Sequence, residues 1–438
     1  MKRLLTLTLA CLVAAACTRQ APQATPGESP DSQVLVAESD DARQGAEAAA
    51  GAKWTGDYDG MTERRIIRAL VVYNKTSYFI DKGSQHGTAF ESMREFEQVI
   101  NKQLGNTTLK VIVVLIPARR DKILQMLADG QGDVALANLT VTPDREKVVD
   151  FTNPVISDIS ELVVTGPESP SVTSIDDLSG KDVYVRKSSS FFEHLSALND
   201  QLSQQGKAPV NIHTVDEQLE TEDVLEMVSA GLLPMTIVDS HVASLWSDVL
   251  PGIVVHKDVA IHTGGTVAWA IRKDSPKLRQ VLDSFIKDHG VGTAFGNTII
   301  KRYLQDNKWV KNATSQEEMQ KFNRLVGIFK KRAGEAGFDW LLIGAQAYQE
   351  SGLDQGVRSP AGAVGVMQIK PSTAASPEVG IQGVETDPDA NVRAGVKYLR
   401  FMVDHYFKDD PMDALNKQLF AFAAYNAGPA RFPAMRKE

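Results

Sequence analysis

Cysteine is nearly absent from this chain of 438 residues, which contains only Cys11 and Cys17. Cys11 lies in a segment that we expect to be removed, so the mature chain can form no intramolecular disulfide. Its stability must therefore come from a packed core, although the compartment predicted below is oxidising. The eight histidines show no paired ligand spacing, and without a cysteine pair we predict no metal site.

An excess of basic residues is also missing. The chain has 47 Lys and Arg against 55 Asp and Glu, a formal charge of −8. Nucleic-acid-binding proteins normally present a basic patch, so we predict no nucleic-acid partner. No phosphate-binding loop or dinucleotide fingerprint occurs, and we predict no cofactor. The length allows two or three domains, and a hydrophobic content of 43% is typical of folded soluble domains.

Long apolar runs are missing as well, because the apolar stretch at the N-terminus covers only residues 4–13. Lys2 and Arg3 precede it, and three alanines lead into Cys17. This pattern predicts a signal peptide over residues 1–17, too short to span a membrane. Its end resembles a bacterial lipobox, which implies lipidation at Cys17; ordinary cleavage nearby is the alternative. By that resemblance, Thr18 implies a periplasm-facing protein anchored in the outer membrane.

The rest of the chain divides into a tether and two bodies. Residues 18–58 are rich in Ala, Gln, Ser, Pro and Gly, which predicts a flexible tether. Residues 59–310 alternate short apolar runs with helical periodicity, which predicts βαβ units and a mostly parallel sheet. Within them we predict strands at 67–73, 109–116, 133–137 and 182–185, and helices at 89–104 and 119–129.

From residue 315 the pattern becomes helical. Ser315 and Glu318 form a capping-box pattern, and an apolar face recurs through 322–329. Further helical stretches are predicted at 338–349, 389–406 and 413–424. This change of period predicts a second folding unit over residues 315–438.

The segments 132–145 and 150–154 are the most specific feature of the first body. They resemble the type 3 periplasmic solute-binding proteins for amino acids, over about 250 residues. The resemblance implies two α/β lobes, with lobe 1 at 59–165 and 268–310 and lobe 2 at 166–267. It also implies hinge strands near 162–164 and 266–271, with the ligand bound between the lobes.

Polar residues follow the strand at 133–137, at the sheet edge where α/β proteins bind ligands. Asn138 and Thr140 supply hydrogen-bonding groups there, and the planar fork of Arg145 suits a carboxylate. The resemblance implies that Arg145 and Thr140 hold the α-carboxylate of a ligand. It further implies carboxylate contacts from Ser189 and Ser190 and an amino-group contact from Asp239. Arg145 pairing with Asp144 or Glu146, a helix cap at Asp239 and an unliganded serine loop remain alternatives.

Four ordered motifs mark the second body: Glu350-Ser351, 359–368, 391–399 and 424–429. They resemble the soluble-type lytic transglycosylase domain, which has a goose-lysozyme-like fold, over residues 320–438. The predicted fold class is therefore multi-domain: a two-lobed α/β periplasmic-binding-protein domain followed by a mainly α goose-lysozyme-like domain.

Glu350 ends an apolar helix, where burial favours a protonated carboxyl. Cleavage of a glycosidic bond requires such a proton donor. The resemblance implies that Glu350 acts first as acid and then as base, so that a 1,6-anhydro ring forms without a second carboxylate. It also implies residues that line the sugar groove or position the acid, with core packing as the alternative for Met367: Ser351, Ser359, Met367, Gln368, Tyr425 and Asn426.

These resemblances predict a peptidoglycan lytic transglycosylase whose first body senses an amino-acid or muropeptide ligand. Its partners are glycan strands and, through the lipid anchor, a membrane. The alternative is a non-catalytic solute-binding or cell-wall-sensing lipoprotein. That alternative is favoured by the position of Glu438, ten residues after Gly428, which predicts a truncated or shortened domain.

Overall fold

The computed structural model describes residues 43, 45–46, 50–81, 84–106, 109–167, 169, 171–305 and 316–427. The predicted signal peptide, Cys17, most of the predicted tether and Ser315 lie outside the described residues. In helix 414–427 the side chain of Asn426 also lies outside the description. In the described part of the chain, no helix combines the length and apolar character needed to cross a membrane.

Lobe 1 of the first body is built on parallel strands with helices on both sides. Its helices are α1 (Tyr58–Glu63), α2 (Thr88–Gln103), α3 (Arg120–Ala128) and the single turn α4 (Pro143–Glu146). Its strands are β1 (Ile66–Val71), the hairpin β2 (Phe79–Asp81) and β3 (Ser84–His86), β4 (Ile112–Pro117), β5 (Val134–Thr140) and β6 (Asp150–Phe151). Five of the six β1 residues are buried, as expected for a strand covered on both faces.

Lobe 2 follows the long strand β7 (Ile156–Thr165) and returns through β11 (Val254–Ile271). Between them lie β8 (Asp182–Arg186), α5 (Ser190–Gln204), β9 (Asn211–Val215), α6 (Thr221–Ser229), β10 (Met235–Asp239) and α7 (Ser240–Val249). The first body ends with α8 (Pro276–His289), α9 (Ala294–Ile300) and one π-helical turn (Lys301–Gln305).

A seven-stranded sheet runs through both lobes in the order β10-β7-β11-β5-β1-β4, with β6 beside β11. β1 pairs in parallel with β4 and β5, whereas β7, β10 and β11 pair antiparallel. β7 and β11 therefore connect the lobes, and their pairing shifts register four times. The prediction of a mostly parallel sheet was wrong for this half, because β7 and β11 cross between lobes as long adjacent strands rather than through a helix.

The second body is helical and has its own core. Its helices are α10 (Gln316–Ala336), α11 (Trp340–Ser351), the short α12 (Pro371–Ala374), α13 (Pro388–Tyr406) and α14 (Ala414–Ala427). Leu325 and Phe329 are buried, and Phe322 packs against them, as the periodicity of 322–329 predicts. The core brings α10, α11, α13 and α14 together around the segment that contains Met367.

Candidate functional site

Glu350 lies in the last turn of α11. The helix begins where the Asp339 carboxylate accepts a hydrogen bond from the Leu341 N–H at 2.7 Å. It ends at Gly352, whose φ of 64° is left-handed and therefore favours glycine. The Glu350 side chain is partly buried, and this burial raises its pKa to about 7. Near neutral pH a large fraction of Glu350 therefore carries the proton that an acid catalyst must donate.

Gln346 is a neighbour of this acid that our sequence reasoning missed. Its Nε2 donates a hydrogen bond to Glu350 Oε1 at 2.7 Å, and the residue is 9% exposed. The i, i+4 spacing on one helix was the available signal. Because one carboxyl oxygen accepts from Gln346, the proton is directed to the other oxygen.

The turn at 365–368 faces the end of α11 and depends on a glycine. Gly365 has φ +75°, and a Cβ there would lie 2.3 Å from Nδ2 of Asn391. Asn391 on α13 is fully buried, and its Oδ1 accepts from the Met367 N–H at 2.8 Å. Its Nδ2 donates to the carbonyls of Val364 and Val384, each at 2.8 Å. One buried amide thus fixes the backbone of the turn.

Two hydroxyl groups join this turn to the flanking helices. Ser351 Oγ donates to the Val366 carbonyl at 2.8 Å, and Tyr425 Oη donates to the Met367 carbonyl at 2.7 Å. Burial and the charge of Glu350 raise the pKa of Tyr425. The structure therefore brings Ser351, Met367 and Tyr425 together around Glu350.

The remaining predicted groove residues lie in different settings. Met367 is fully buried in the core, so the expectation that its side chain lines the groove was wrong, and packing is its role. It fits there because α13 carries Gly395, where a Cβ would come within 2.8 Å of Met367 Cβ. Gln368 Nε2 donates to the carbonyls of Val357 and Gly365, and Ser359 Oγ accepts from the Ala363 N–H. These two side chains therefore stabilise the loop at 357–368 by hydrogen bonds to its own backbone.

In the first body, Arg145 bridges the two lobes. Its guanidinium donates to the Thr140 carbonyl at 2.8 Å and to the Ser188 carbonyl at 3.0 Å. Its nearest acidic partner is Glu193, with Nε 3.8 Å from Oε1. The structure pairs Asp144 with Lys147, so a local ion pair with Asp144 does not describe Arg145.

Asn138 and Asp239 also meet across the cleft. Asn138 Nδ2 donates to Asp239 Oδ2 at 2.9 Å, and Asn138 Oδ1 lies 2.9 Å from His241 Nε2. Asp239 makes no capping hydrogen bond to α7, so the helix-cap alternative fails. Burial, together with the charge of Glu161, raises the pKa of Asp239 to about 7. Its Oδ1 has no hydrogen-bond partner within the described residues.

The predicted serines are placed differently. Ser189 caps α5, where its Oγ donates to the Arg186 carbonyl at 2.6 Å and accepts from the Phe192 N–H at 3.2 Å. Ser190 is the first residue of that helix and is buried. Both therefore lie at a helix N-terminus, beside the Ser188 carbonyl that Arg145 contacts.

Our sequence reasoning missed the strongest contacts across the cleft. Arg120 holds Glu220 through two nitrogens, with Nη2 2.6 Å from Oε2 and Nε 3.0 Å from the same oxygen. The Lys75 N–H donates to Glu222 Oε1 at 2.8 Å, and the Lys75 ammonium pairs with Glu226. Partners about 100 residues or more apart leave no local pattern in a sequence. The residues described here contain no cluster of three metal-ligating side chains.

Comparison with known families decides what the first body is. The family model for bacterial extracellular solute-binding proteins, family 3, matches residues 71–291, just over half of the chain. The chain belongs to this family. In this member of family 3, the transglycosylase SLT domain model also matches residues 327–437. Both resemblances noted in the sequence, and the predicted fold class, are confirmed.

Curated relatives are similar to this chain over most of its length. A membrane-bound lytic murein transglycosylase F from Desulfosudis oleivorans is 29% identical, over 83% of this chain and 75% of the relative. A protein of that name from Pseudomonas fluorescens is 25% identical, over 86% of this chain and 74% of the relative. Another protein of that name, from Vibrio cholerae, is 28% identical, over 85% of this chain and 69% of the relative.

Solved structures match the family 3 part. An ancestral arginine-binding protein bound to arginine is 22% identical and covers 55% of this chain and 98% of its own, with a TM-score of 0.44. The P235GK mutant of ArgBP from T. maritima is 18% identical to this chain. The match covers 57% of this chain and 99% of the ArgBP chain, with a TM-score of 0.46.

Proposed function

We propose that this chain is a peptidoglycan lytic transglycosylase that cleaves the β-1,4 bond between N-acetylmuramic acid and N-acetylglucosamine. The observation that carries the proposal is Glu350. This acid lies at a helix end inside the region matched by the SLT domain, and burial raises its pKa to about 7. The similarity to lytic murein transglycosylases F, over 83% and 86% of this chain, supports the same reaction.

In the first step, Glu350 donates its proton to the oxygen that links the two sugars. The C–O bond at C1 of the muramic acid breaks, and an oxocarbenium-like centre develops there. The N-acetylglucosamine leaves with the proton as a new hydroxyl group. Gln346, which donates to Glu350 Oε1 at 2.7 Å, keeps the other oxygen directed to the leaving group.

In the second step, the Glu350 carboxylate acts as base on the C6 hydroxyl of the same muramic acid. The hydroxyl oxygen attacks C1, its proton returns to Glu350, and a 1,6-anhydro ring closes. The nucleophile belongs to the substrate, so no second carboxylate is needed to activate a water. The enzyme regains its protonated acid for the next turnover.

Digestion of purified sacculi tests this reaction. Wild type should release 1,6-anhydro-muropeptides detectable by mass spectrometry, and Glu350→Gln should release about a hundredfold to ten-thousandfold less. Glu385→Gln removes an exposed carboxylate from the same domain and should leave the release unchanged. Hydrolysed ends in place of anhydro ends would exclude the ring-closing step, whereas no release by wild type, or equal release by Glu350→Gln, would favour the non-catalytic alternative.

The first body is proposed to sense an amino acid or peptide. Arg145 would take the ligand's carboxylate and Asp239 its amino group, while Asn138, Thr140, Ser189 and Ser190 surround them. In this arrangement, Arg145 and Asp239 bind groups of the opposite lobe, so a ligand would replace those contacts.

Calorimetry with amino acids and muropeptide stem peptides should show binding by wild type and loss of binding by Arg145→Ala. Arg119→Ala, an exposed arginine, is the matched control; equal binding by Arg145→Ala would contradict the assignment.

The chain is further proposed to be a lipoprotein anchored through Cys17 at the outer membrane and facing the periplasm. The support is the sequence pattern of residues 1–17, and the names of the relatives are consistent with membrane attachment. Radiolabelled palmitate should be incorporated by wild type and not by Cys17→Ser. Recovery of wild type in the soluble periplasmic fraction would contradict anchoring.

A further inference from the structure

A cavity of about 160 Å³ lies between the lobes beside the proposed amino-acid site. Its lining includes the aromatic residues Trp269 and Phe285. It also includes the polar residues Asn138, His241 and Glu222. Because Asn138 also donates to Asp239, the cavity begins next to the residue proposed to bind the ligand's amino group. A ligand held at Asp239 can therefore extend its side chain into this space.

Glu222 brings a buried carboxylate to the cavity wall. The residue is 4% exposed, and its Oε1 accepts a hydrogen bond from the backbone N–H of Lys75. Burial, and then the charge of Glu220, raise the pKa of Glu222. No cationic side chain of the described residues forms an ion pair with it, since the Lys75 ammonium binds Glu226. A buried carboxylate of this kind is costly without a counter-charge.

Two other polar residues of the cavity, Arg120 and His241, form no ion pair with Glu222. Arg120 lines the cavity, but its guanidinium holds Glu220 through two nitrogens and also binds the Ala137 carbonyl. His241 is neutral at pH 7, because burial lowers its pKa to about 4. Its Nε2 faces Asn138 Oδ1, which leaves Nδ1 as an acceptor with no partner in the described residues. The cavity thus presents two acceptors, Glu222 and His241 Nδ1, and neither is paired with a cationic side chain of the described residues.

We propose that the first body binds a basic amino acid, free or at the end of a peptide, whose cationic side chain enters this cavity and is held by Glu222 and His241. The inference rests on the proposed sensing function. The methylene groups of such a side chain pack against Trp269 and Phe285, and its nitrogen donates to the two acceptors. A ligand with an apolar side chain leaves Glu222 buried without a cationic partner, and an acidic side chain adds like charge beside it.

Calorimetry on the full chain with L-lysine and L-norleucine tests the proposal, because the two differ mainly in the terminal ammonium group. Wild type should bind lysine at least about tenfold more tightly than norleucine, the ratio expected for one charge-assisted hydrogen bond. Glu222→Gln should lose that preference while binding norleucine as wild type does, which also shows that the variant is folded. Glu222→Asp, with its shorter reach, should retain part of the preference. Asp258→Asn removes an exposed carboxylate from lobe 2 and should behave as wild type.

Each outcome decides between the two proposals. If norleucine binds as well as lysine in an Arg145-dependent manner, the basic-ligand inference falls and the sensing function stands. If Glu222→Gln or Glu222→Asp weakens both ligands equally, Glu222 is structural and the inference also falls. If wild type binds neither these probes nor any other amino acid or stem peptide, both proposals fail.

Discussion

The two bodies hold their acidic groups in opposite ways. In the first body, Glu220 is buried against Arg120 of the other lobe, and the pair is 7% and 11% exposed. In the second, burial raises the pKa of Glu350, and Gln346, a neutral amide, is its hydrogen-bond donor. The first arrangement pairs a buried carboxyl group with an arginine and connects two lobes. The second keeps a carboxyl protonated and available to a substrate.

The difference shows that burial of a carboxyl group has different consequences, which depend on its hydrogen-bond partner. A buried carboxylate with a two-nitrogen arginine partner gains an attraction that offsets the loss of water. A partly buried carboxyl with an amide partner is less well compensated, so its proton is retained to higher pH. The partner, more than the burial, therefore decides whether an acid supports structure or chemistry.

The largest effect should follow from breaking the paired arrangement. Arg120→Ala leaves Glu220 buried without its cation and should destabilise the first body by about 3–5 kcal/mol. Urea unfolding followed by tryptophan fluorescence measures this, since Trp246 and Trp269 are buried in that body. The adjacent Arg119→Ala removes only an exposed pair with Asp121 and should cost about 1 kcal/mol or less. A similar cost for both variants would mean that the buried pair contributes no more than a surface pair.

A second effect tests whether the transglycosylase site depends on backbone geometry. Gly365→Ala should destabilise the second body by about 3 kcal/mol or more, because left-handed strain and a clash with Asn391 add together. Gly362→Ala is a close control, since Gly362 has φ +82° and no atom within 4 Å of the added Cβ. It should cost only the strain, about 1–2 kcal/mol. Thermal unfolding and anhydro-muropeptide release together measure both effects; equal losses would remove the role assigned to Asn391.

The smallest effect concerns the acid itself. The acid role proposed for Glu350 requires a bound proton, so kcat/KM should fall as the pH rises through its pKa of about 7. The Gln346 N–H stabilises the charged carboxylate, so Gln346→Leu should raise the pKa and move this fall to higher pH, by up to about one unit or 1.4 kcal/mol. Gln320→Leu, on the exposed face of α10, should leave the profile in place. A move to lower pH would contradict the role of Gln346.

Local patterns predicted much of the architecture. The strand at 182–185 and the helices at 89–104 and 389–406 agree with the observed elements to within a residue or two at each end. The spacing of apolar residues along the sequence predicts these elements directly, because that spacing reflects which face of each helix or strand is buried. Glu350, Ser351 and Tyr425 were also identifiable as candidate site residues, because the motif spacing around them is specific, whereas Gln346 was missed.

The rest depends on contacts that form only when distant segments meet. Arg120 and Glu220 lie 100 residues apart, and the hinge strands pair antiparallel because the chain crosses twice between the lobes. Met367 fits either a groove or a core by residue type, and only the packing of α13 decides. Asn391 was noted as part of a motif, but its three hydrogen bonds to the turn could not be inferred from spacing.

The contact between Gly395 and Met367 has an evolutionary consequence. Any side chain at position 395 would enter the space that Met367 fills, with the first added carbon 2.8 Å from Met367 Cβ. That carbon belongs to every residue except glycine, so a smaller side chain at 367 does not relieve the contact, and replacement of Gly395 requires either glycine at 367 or a movement of α13 away from the turn at 365–368. Gly395 is therefore expected to persist among descendants of this sequence, whichever side chain occupies position 367.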